Sequence, residues 1–138
     1  MVEKKKNQIL DDSKQFAIRI INLYKYLVKE KQEYLLSKQV LRSGTSIGAN
    51  IRESVNAQST RDFISKLSIS LKEANETEYW LELLHETDFI EEPHFWSIYN
   101  DCGKLAATLT NIILSTKKNS GQWAYTSRWG GDAKRRRG

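Results

Sequence analysis

The sequence predicts an all-α fold, an antiparallel up-down-up-down bundle of four helices. The 138 residues are 39% hydrophobic, which is enough for the core of one domain. Only 1 proline and 7 glycines occur, and four of those glycines lie in the last 18 residues. So few turn-forming residues exclude a β-sandwich with many strands, and apolar residues instead recur at helical spacing over four segments.

The first two predicted helices form the basic half of the bundle. The first runs from about Asp11 to Glu30, and residues 11–13 offer side-chain oxygens for its N-terminal cap. The second runs from about Tyr34 to Ala57, and its Gly44 and Gly48 share one side. Because two glycines cost a helix about 1–2 kcal/mol relative to alanine, we expect them to serve helix packing by letting a neighbouring backbone come close.

The third predicted helix has two apolar sides. It runs from about Thr60 to Thr87, with Ser59 as N-cap and Asp62 completing a capping box. Its predicted inner face holds Phe63, Leu67, Ser70, Leu71, Ala74, Glu78, Leu81 and His85. A second apolar group lies on its outer side, and such a group predicts an oligomer interface. The residues of this predicted interface are Ile69, Tyr79, Trp80 and Leu83.

The last predicted helix and the residues after it differ in composition. The helix runs from about Pro93 to Lys117 and repeats apolar residues at alternating spacings of three and four, which is typical of shallow-angle helix packing. Residues 119–138 contain Gly, Trp, Tyr and a terminal basic run, without a helical stripe. We therefore predict a bundle over residues 1–118 and a basic tail over 119–138, either native or appended.

Charge is distributed unevenly along the chain. Residues 1–72 hold 14 Lys and Arg against 7 Asp and Glu, whereas residues 73–119 hold 3 against 9. A basic half can attract nucleic acid or the acidic half of a second copy, or both halves can be ordinary solvated faces. The candidate nucleic-acid-binding residues lie off the predicted core stripes or in the tail: Lys14, Lys25, Lys29, Lys38, Arg42, Arg52, Arg135, Arg136 and Arg137.

Nothing in the sequence predicts an enzyme, a metal site or a cofactor. Glu82 and His85 share a helix at metal-ligand spacing, but the second such pair, Glu91 and His94, is interrupted by Pro93. The single cysteine, Cys102, falls on an apolar stripe, where a thiol is inert. The sequence also shows no signal peptide and no membrane-spanning run, so we expect a cytoplasmic protein without a membrane partner.

Two runs carry a family resemblance. They are LRSGTSIGANIRES at residues 41–54 and RDFISKLSISLKEANETEYWLELL at residues 61–84. Both resemble the bacterial four helix bundle protein family, also called ribosomal-RNA intervening-sequence proteins, over residues 10–118. The family is similar in turn to the accessory variability determinants of diversity-generating retroelements, which bind nucleic acid and a reverse transcriptase. The resemblance implies a four-helix bundle that forms a ring-like homopentamer, and it implies no catalytic residues.

Two functions therefore remain in view for a non-enzymatic bundle. The first is a homo-oligomeric scaffold that binds RNA or DNA, as an accessory to a retroelement or rRNA-insert system. In it, Lys25, Lys29, Lys38 and Arg42 flank the first turn and converge at one end of the bundle, and repetition of this end around a ring forms a basic collar. The alternative is a module for protein interaction and self-assembly alone, which does not bind nucleic acid.

Overall fold

Four helices in cyclic order form the bundle. The computed structural model describes residues 2–120, with side chains from residue 7 onward. The helices are α1 (Val2–Lys31), α2 (Leu36–Ser54), α3 (Thr60–Glu86) and α4 (Glu92–Ser120). Each packs against the next one in the chain, and α4 closes the cycle against α1. The predicted all-α, up-down-up-down bundle is confirmed, and the predicted residues Arg135, Arg136 and Arg137 lie outside the described residues.

The first helix begins earlier than predicted. It starts at Val2 rather than Asp11, so residues 11–13 lie in its interior and do not cap it. Ser13 is 1% exposed, and its hydroxyl donates to the carbonyl of Leu10 at 3.1 Å within the helix. The buried Ile9 continues the apolar stripe upstream, and no glycine or proline interrupts the segment, so the helix extends through it.

Both ends of α2 lie inside their predicted bounds. It begins at Leu36 rather than Tyr34 because the chain turns at Gln32, which has a φ of 50°. The carboxylate of Glu33 then accepts hydrogen bonds from the backbone N–H groups of residues 35, 36 and 37. The helix ends at Ser54, three residues before the predicted Ala57, in a tight turn that joins it to α3.

The ends of α3 and α4 fall close to their predicted positions. The Ser59 hydroxyl caps α3 by accepting from the Asp62 N–H at 3.0 Å, as predicted. The Asp62 carboxylate accepts from the N–H of Gln58 instead of closing the box on Ser59. Helix α4 begins at Glu92, one residue before the predicted Pro93, and continues to Ser120. Residues 119 and 120 of the predicted tail are therefore helical.

The inner face of α3 is rotated towards α2 relative to the prediction. Leu67, Ser70, Ala74 and Leu81 are buried as predicted, but Phe63, Leu71, Glu78 and His85 are only half-buried. Their places in the core are taken by Ile64, Thr77 and Leu84. The rotation brings hydroxyls across the α2–α3 contact: Ser70 donates to the Ile47 carbonyl at 2.8 Å and Thr77 to the Ser43 hydroxyl at 2.9 Å.

The two glycines of α2 lie where α1 comes close. A Cβ atom added at Gly44 would lie 2.7 Å from Cγ1 of the fully buried Ile20. One added at Gly48 would lie 3.2 Å from the Ser13 hydroxyl. Cβ atoms do not tolerate the first distance, so the close approach of α1 to α2 requires glycine at residue 44.

Candidate nucleic-acid interface

The six predicted basic residues of the bundle are all exposed. They are Lys14, Lys25 and Lys29 on α1, and Lys38, Arg42 and Arg52 on α2. Because α1 and α2 are antiparallel and joined by a short turn, Lys25, Lys29 and Lys38 gather at the end of the bundle that holds this turn. We call these three residues the basic cluster. Lys14 and Arg52 lie towards the opposite end.

Ion pairs divide the basic residues into two groups. Arg42 pairs with Glu76 of α3 at 3.1 Å, and solvent screens this pair because the Arg42 side chain is 58% exposed. The described residues contain two further ion pairs, Arg19 with Asp101 at 2.7 Å and Lys66 with Glu53 at 3.4 Å. None of the three lysines of the basic cluster takes part in them. No carboxylate of the described residues therefore competes with an external anion for these ammonium groups, whereas Arg42 has Glu76 as a partner.

The sequence prediction missed one member of this region. Lys31 is exposed in the last turn of α1, beside Lys29. Unsatisfied carbonyls give a helix C-terminus a partial negative charge that stabilises lysine there. A basic residue in the last turn is the sequence signal that could have identified it.

Two isoleucines lie among the lysines of α1. Lys14, Ile18, Ile21 and Lys25 follow one another at spacings of 4, 3 and 4, so they form one line on the outer side of the helix. Ile18 is 44% exposed and Ile21 37%. We call this line the α1 stripe. Exposed isoleucines flanked by lysines are more typical of a protein contact than of a phosphate contact.

Carboxylates and aromatic rings cover the opposite side of the bundle, where α3 and α4 meet. Glu78, Tyr79, Glu82 and Glu86 lie on α3, and Trp96 lies on α4. We call these five residues the acidic aromatic face. None of its three carboxylates forms an ion pair within the described part of the chain. Tyr79 is 53% exposed and Trp96 48%, so the face also presents aromatic surface to solvent.

Hydrogen bonds and burial shift the pKa values of two groups of this region, Tyr99 and Glu78. The Tyr99 hydroxyl donates to the Glu82 carboxylate at 2.6 Å, and this bond together with burial raises the pKa of Tyr99 to about 12. Burial and the neighbouring Glu82 charge raise the pKa of Glu78 above its ordinary value. Trp96 donates from Nε1 to Glu92 at 3.3 Å. The face concentrates negative charge that nothing in the described chain neutralises.

The residues of the predicted oligomer interface are placed unequally. Ile69 and Tyr79 are exposed, whereas Trp80 and Leu83 are half-buried. Trp80 packs against the core and donates from Nε1 to Glu76 at 3.1 Å. The interface over these four residues therefore stays a prediction, and the apolar area that α3 exposes is smaller than the sequence suggested.

The residues weighed for metal or nucleophile chemistry have structural partners. Glu82 accepts from Tyr99, and the ring of His85 stacks on Phe95 with centroids 4.2 Å apart. Over residues 2–120, no group of three or more His, Cys, Asp or Glu is arranged to hold a metal ion. Cys102 is fully buried and donates to the Ala74 carbonyl, and burial raises the pKa of its thiol.

Two cavities lie along the contact between α1 and α4. One, of about 350 Å³, is lined by residues that include Leu23, Ile90 and Ile98. The other, of about 460 Å³, is lined by residues that include Phe16 and Leu105. Arg19 borders both.

No helix within the described range is long and apolar enough to cross a membrane.

Comparison with known proteins identifies the family. The family model described as 23S rRNA-intervening sequence protein matches residues 5–111, which covers most of the bundle. The chain belongs to this family. It is also similar to a crystal structure described as a protein with unknown function from the S23 ribosomal protein family of Bacteroides thetaiotaomicron VPI-5482. The two chains are 59% identical with a TM-score of 0.78, over 79% of this chain and 97% of the other.

The comparison with curated proteins gave no match. The family match, in contrast, includes both sequence runs that carry the resemblance, at residues 41–54 and 61–84. The matched range holds the basic cluster and the acidic aromatic face, and it ends before residue 112.

Proposed function

We propose that this intervening-sequence protein is a non-enzymatic, cytoplasmic, homo-oligomeric scaffold that binds RNA or DNA through its basic cluster. The observation that carries the proposal is that Lys25, Lys29 and Lys38 converge at one end of the bundle, exposed and free of ion pairs. The resemblance to retroelement accessory proteins adds a reverse transcriptase as a further candidate partner.

Electrostatics defines the kind of binding to expect. Each phosphate that a lysine neutralises releases condensed counterions, so the affinity falls steeply as salt concentration rises. Three or four lysines in one chain give weak binding without sequence preference. A homopentamer would repeat the cluster and strengthen the binding by avidity, provided that one nucleic acid spans several clusters.

Retardation of a structured RNA in a native gel tests the proposal. The full chain and a chain ending at Ser120 are compared at about 50 and 200 mM salt, because the basic tail could bind by itself. We expect both to retard the RNA at the lower salt concentration. The double variant Lys29→Glu/Lys38→Glu should lose this retardation, since both lysines are exposed and their reversal leaves the core intact.

A matched control has the same change in charge elsewhere. Lys72→Glu/Lys104→Glu reverses two exposed lysines on α3 and α4, and we expect it to retard RNA like the parent chain. If the chain ending at Ser120 retards neither RNA nor DNA at about 50 mM salt, nucleic-acid binding by the bundle is wrong. The alternative function, self-assembly alone, then takes its place, supported by the exposed Ile18 and Ile21 beside the lysines.

A further inference from the structure

We propose that the α1 stripe of one copy docks on the acidic aromatic face of a second copy. The stripe is Lys14, Ile18, Ile21 and Lys25, and the face is Glu78, Tyr79, Glu82, Glu86 and Trp96. This inference rests on the self-assembly part of the proposed function and does not depend on nucleic-acid binding. It adds the two surfaces that meet and the chemistry that joins them.

The two surfaces lie on opposite sides of one molecule. On α1, Ile20 points to Gly44 of α2, and Arg19 reaches Asp101 of α4. The α1 stripe lies on the outer side of the helix, where Lys14, Ile21 and Lys25 are exposed, and Ile18 is exposed while also bordering the cavity between α1 and α4. The acidic aromatic face follows the groove between α3 and α4, where Tyr99 bonds to Glu82. Its Glu78 and Glu82 are half-buried in this groove, and its other three residues are exposed. Because α1 and α3 are at diagonal corners of the bundle, each copy presents the α1 stripe on one side and the acidic aromatic face on the opposite side.

The two surfaces also lie at the same height along the bundle. The Arg19–Asp101 ion pair relates α1 to α4, and the Tyr99–Glu82 bond relates α4 to α3. Counting along the antiparallel helices from these contacts places three pairs within about one turn of equal height. The pairs are Lys14 with Glu78, Ile21 with Trp96, and Lys25 with Glu86.

Matching heights make the surfaces complementary. If a second copy is placed beside the first with its helices in the same direction, lysines meet carboxylates at both ends of the contact and isoleucines meet aromatic rings between them. Buried aromatic and aliphatic groups with charges at the rim are the usual anatomy of a protein interface. The contact is heterologous, because different surfaces of the two copies meet. Repeating it adds further copies, and the assembly closes into a ring when the rotation between neighbouring copies divides a full turn evenly.

Charge reversal on each surface tests this docking in the full-length protein. The face variant is Glu86→Lys/Glu92→Lys, in which Glu92 is the exposed carboxylate beside Trp96, and the stripe variant is Lys14→Glu/Lys25→Glu. The face variant then presents positive charge to Lys25 of a second copy, and the stripe variant presents negative charge to Glu78 and Glu86 of a second copy. By sedimentation at micromolar concentration, we expect each alone to lose the parent assembly and give the mass of one chain, 16.0 kDa. An equimolar mixture should give species of two chains that contain both variants, because the unaltered stripe of the face variant complements the unaltered face of the stripe variant. A closed ring with an odd number of chains is not expected, since the two variants cannot alternate around it.

Controls separate the docking from other causes. Asp12→Lys/Glu30→Lys changes the net charge as the face variant does, but on the α4-facing side of α1, and should keep the parent assembly. Circular dichroism of each variant verifies that it is folded. Folded variants that keep the parent mass, or monomeric variants that fail to assemble when mixed, overturn the inference. Loss of assembly on Trp80→Glu while both charge variants assemble assigns the interface to the outer side of α3 instead.

The result also distinguishes the inference from the proposed function. A parent chain that is monomeric at micromolar concentration removes the self-assembly part of that function, together with the docking. A parent that assembles while the reversed variants also assemble removes the docking alone. In the docked assembly Lys25 contacts Glu86 of the second copy, so nucleic-acid binding then depends on Lys29 and Lys38. RNA retardation is measured separately with these two residues, which lie outside the α1 stripe.

Discussion

The contacts that α2 makes and the contact between α1 and α4 are built in different ways. Helix α2 meets α1 through Gly44 and Gly48, and it meets α3 through hydrogen bonds from Ser70 and Thr77. Helices α1 and α4 pack more sparsely than any other neighbouring pair. They are bridged by the Arg19–Asp101 ion pair, and two cavities lie along their contact.

The difference shows what makes a helix contact close. Glycine and serine on α2 let the neighbouring backbones approach, and the buried hydroxyls of Ser54, Ser70 and Thr77 then find partners inside the contact. The α1–α4 contact instead has the Arg19–Asp101 ion pair near its middle, and Arg19 borders both cavities. In this bundle, the close contacts of α2 therefore occur where small residues line the contact.

The largest expected effect compares one core residue from each contact. Ile47→Ala removes a fully buried side chain from α2 and should lower the free energy of unfolding by about 2–5 kcal/mol. Leu23→Ala, beside the α1–α4 cavity, should cost less, because Leu23 is only half-buried and already borders empty space. Urea unfolding followed by circular dichroism measures both. Equal losses would mean that the two contacts are packed alike.

Overpacking should also distinguish the two kinds of contact. Gly44→Leu places a side chain against Ile20, where even a Cβ atom would lie at 2.7 Å, and should destabilise by about 1–3 kcal/mol. Gly44→Ala should act in the same direction with a smaller loss. Thermal melting measures the change, and a variant that melts at or above the parent temperature would refute the close approach of α1 to α2.

The matched glycine on α4 should respond with the opposite sign. A Cβ atom added at Gly103 would meet only an oxygen of Glu78, at 3.8 Å, which is an ordinary contact. Gly103→Ala should therefore stabilise the protein by about 0.5–1 kcal/mol, because alanine favours the helix. A lower melting temperature for this variant than for the parent would show that the α3–α4 contact is tighter than its geometry indicates.

The smallest expected effect concerns the bridge between α1 and α4. Arg19 and Asp101 are each about 40% exposed at their side chains, so solvent screens their attraction. A double-mutant cycle with Arg19→Ala and Asp101→Ala should give a coupling free energy of about 0.2–1 kcal/mol that decreases in high salt. A coupling that is larger and insensitive to salt would mean that this ion pair, rather than the apolar residues around it, holds the two helices together.

The sequence predicted the fold because the spacing of its apolar residues is regular within every helix. It missed helix ends that depend on local contacts of single side chains. Glu33 caps α2 from outside the helix through three backbone N–H groups. Gln32 adopts a positive φ, which the sequence does not indicate because the residue is not a glycine. The extension of α1 to Val2 was missed because polar residues 11–13 resemble a cap.

The candidate site was predictable only in part, for a different reason. Exposure of the lysines follows from their position on each helix, and the six basic residues of the bundle that were predicted to bind nucleic acid are exposed. The Arg42–Glu76 ion pair joins residues 34 positions apart and depends on how α2 and α3 are aligned. The match in height between the α1 stripe and the acidic aromatic face likewise depends on the relative positions of three helices. Periodicity within one helix carries no information about this alignment.

The sparse α1–α4 contact has a consequence for the rate and order of folding. The other three contacts join helices that follow each other in the chain, whereas this one joins the first helix to the last. Closing it costs the most chain entropy and gains the fewest interactions, so it should form after the transition state. Mutations there should then speed unfolding and leave refolding nearly unchanged, whereas those between α2 and its neighbours should slow refolding.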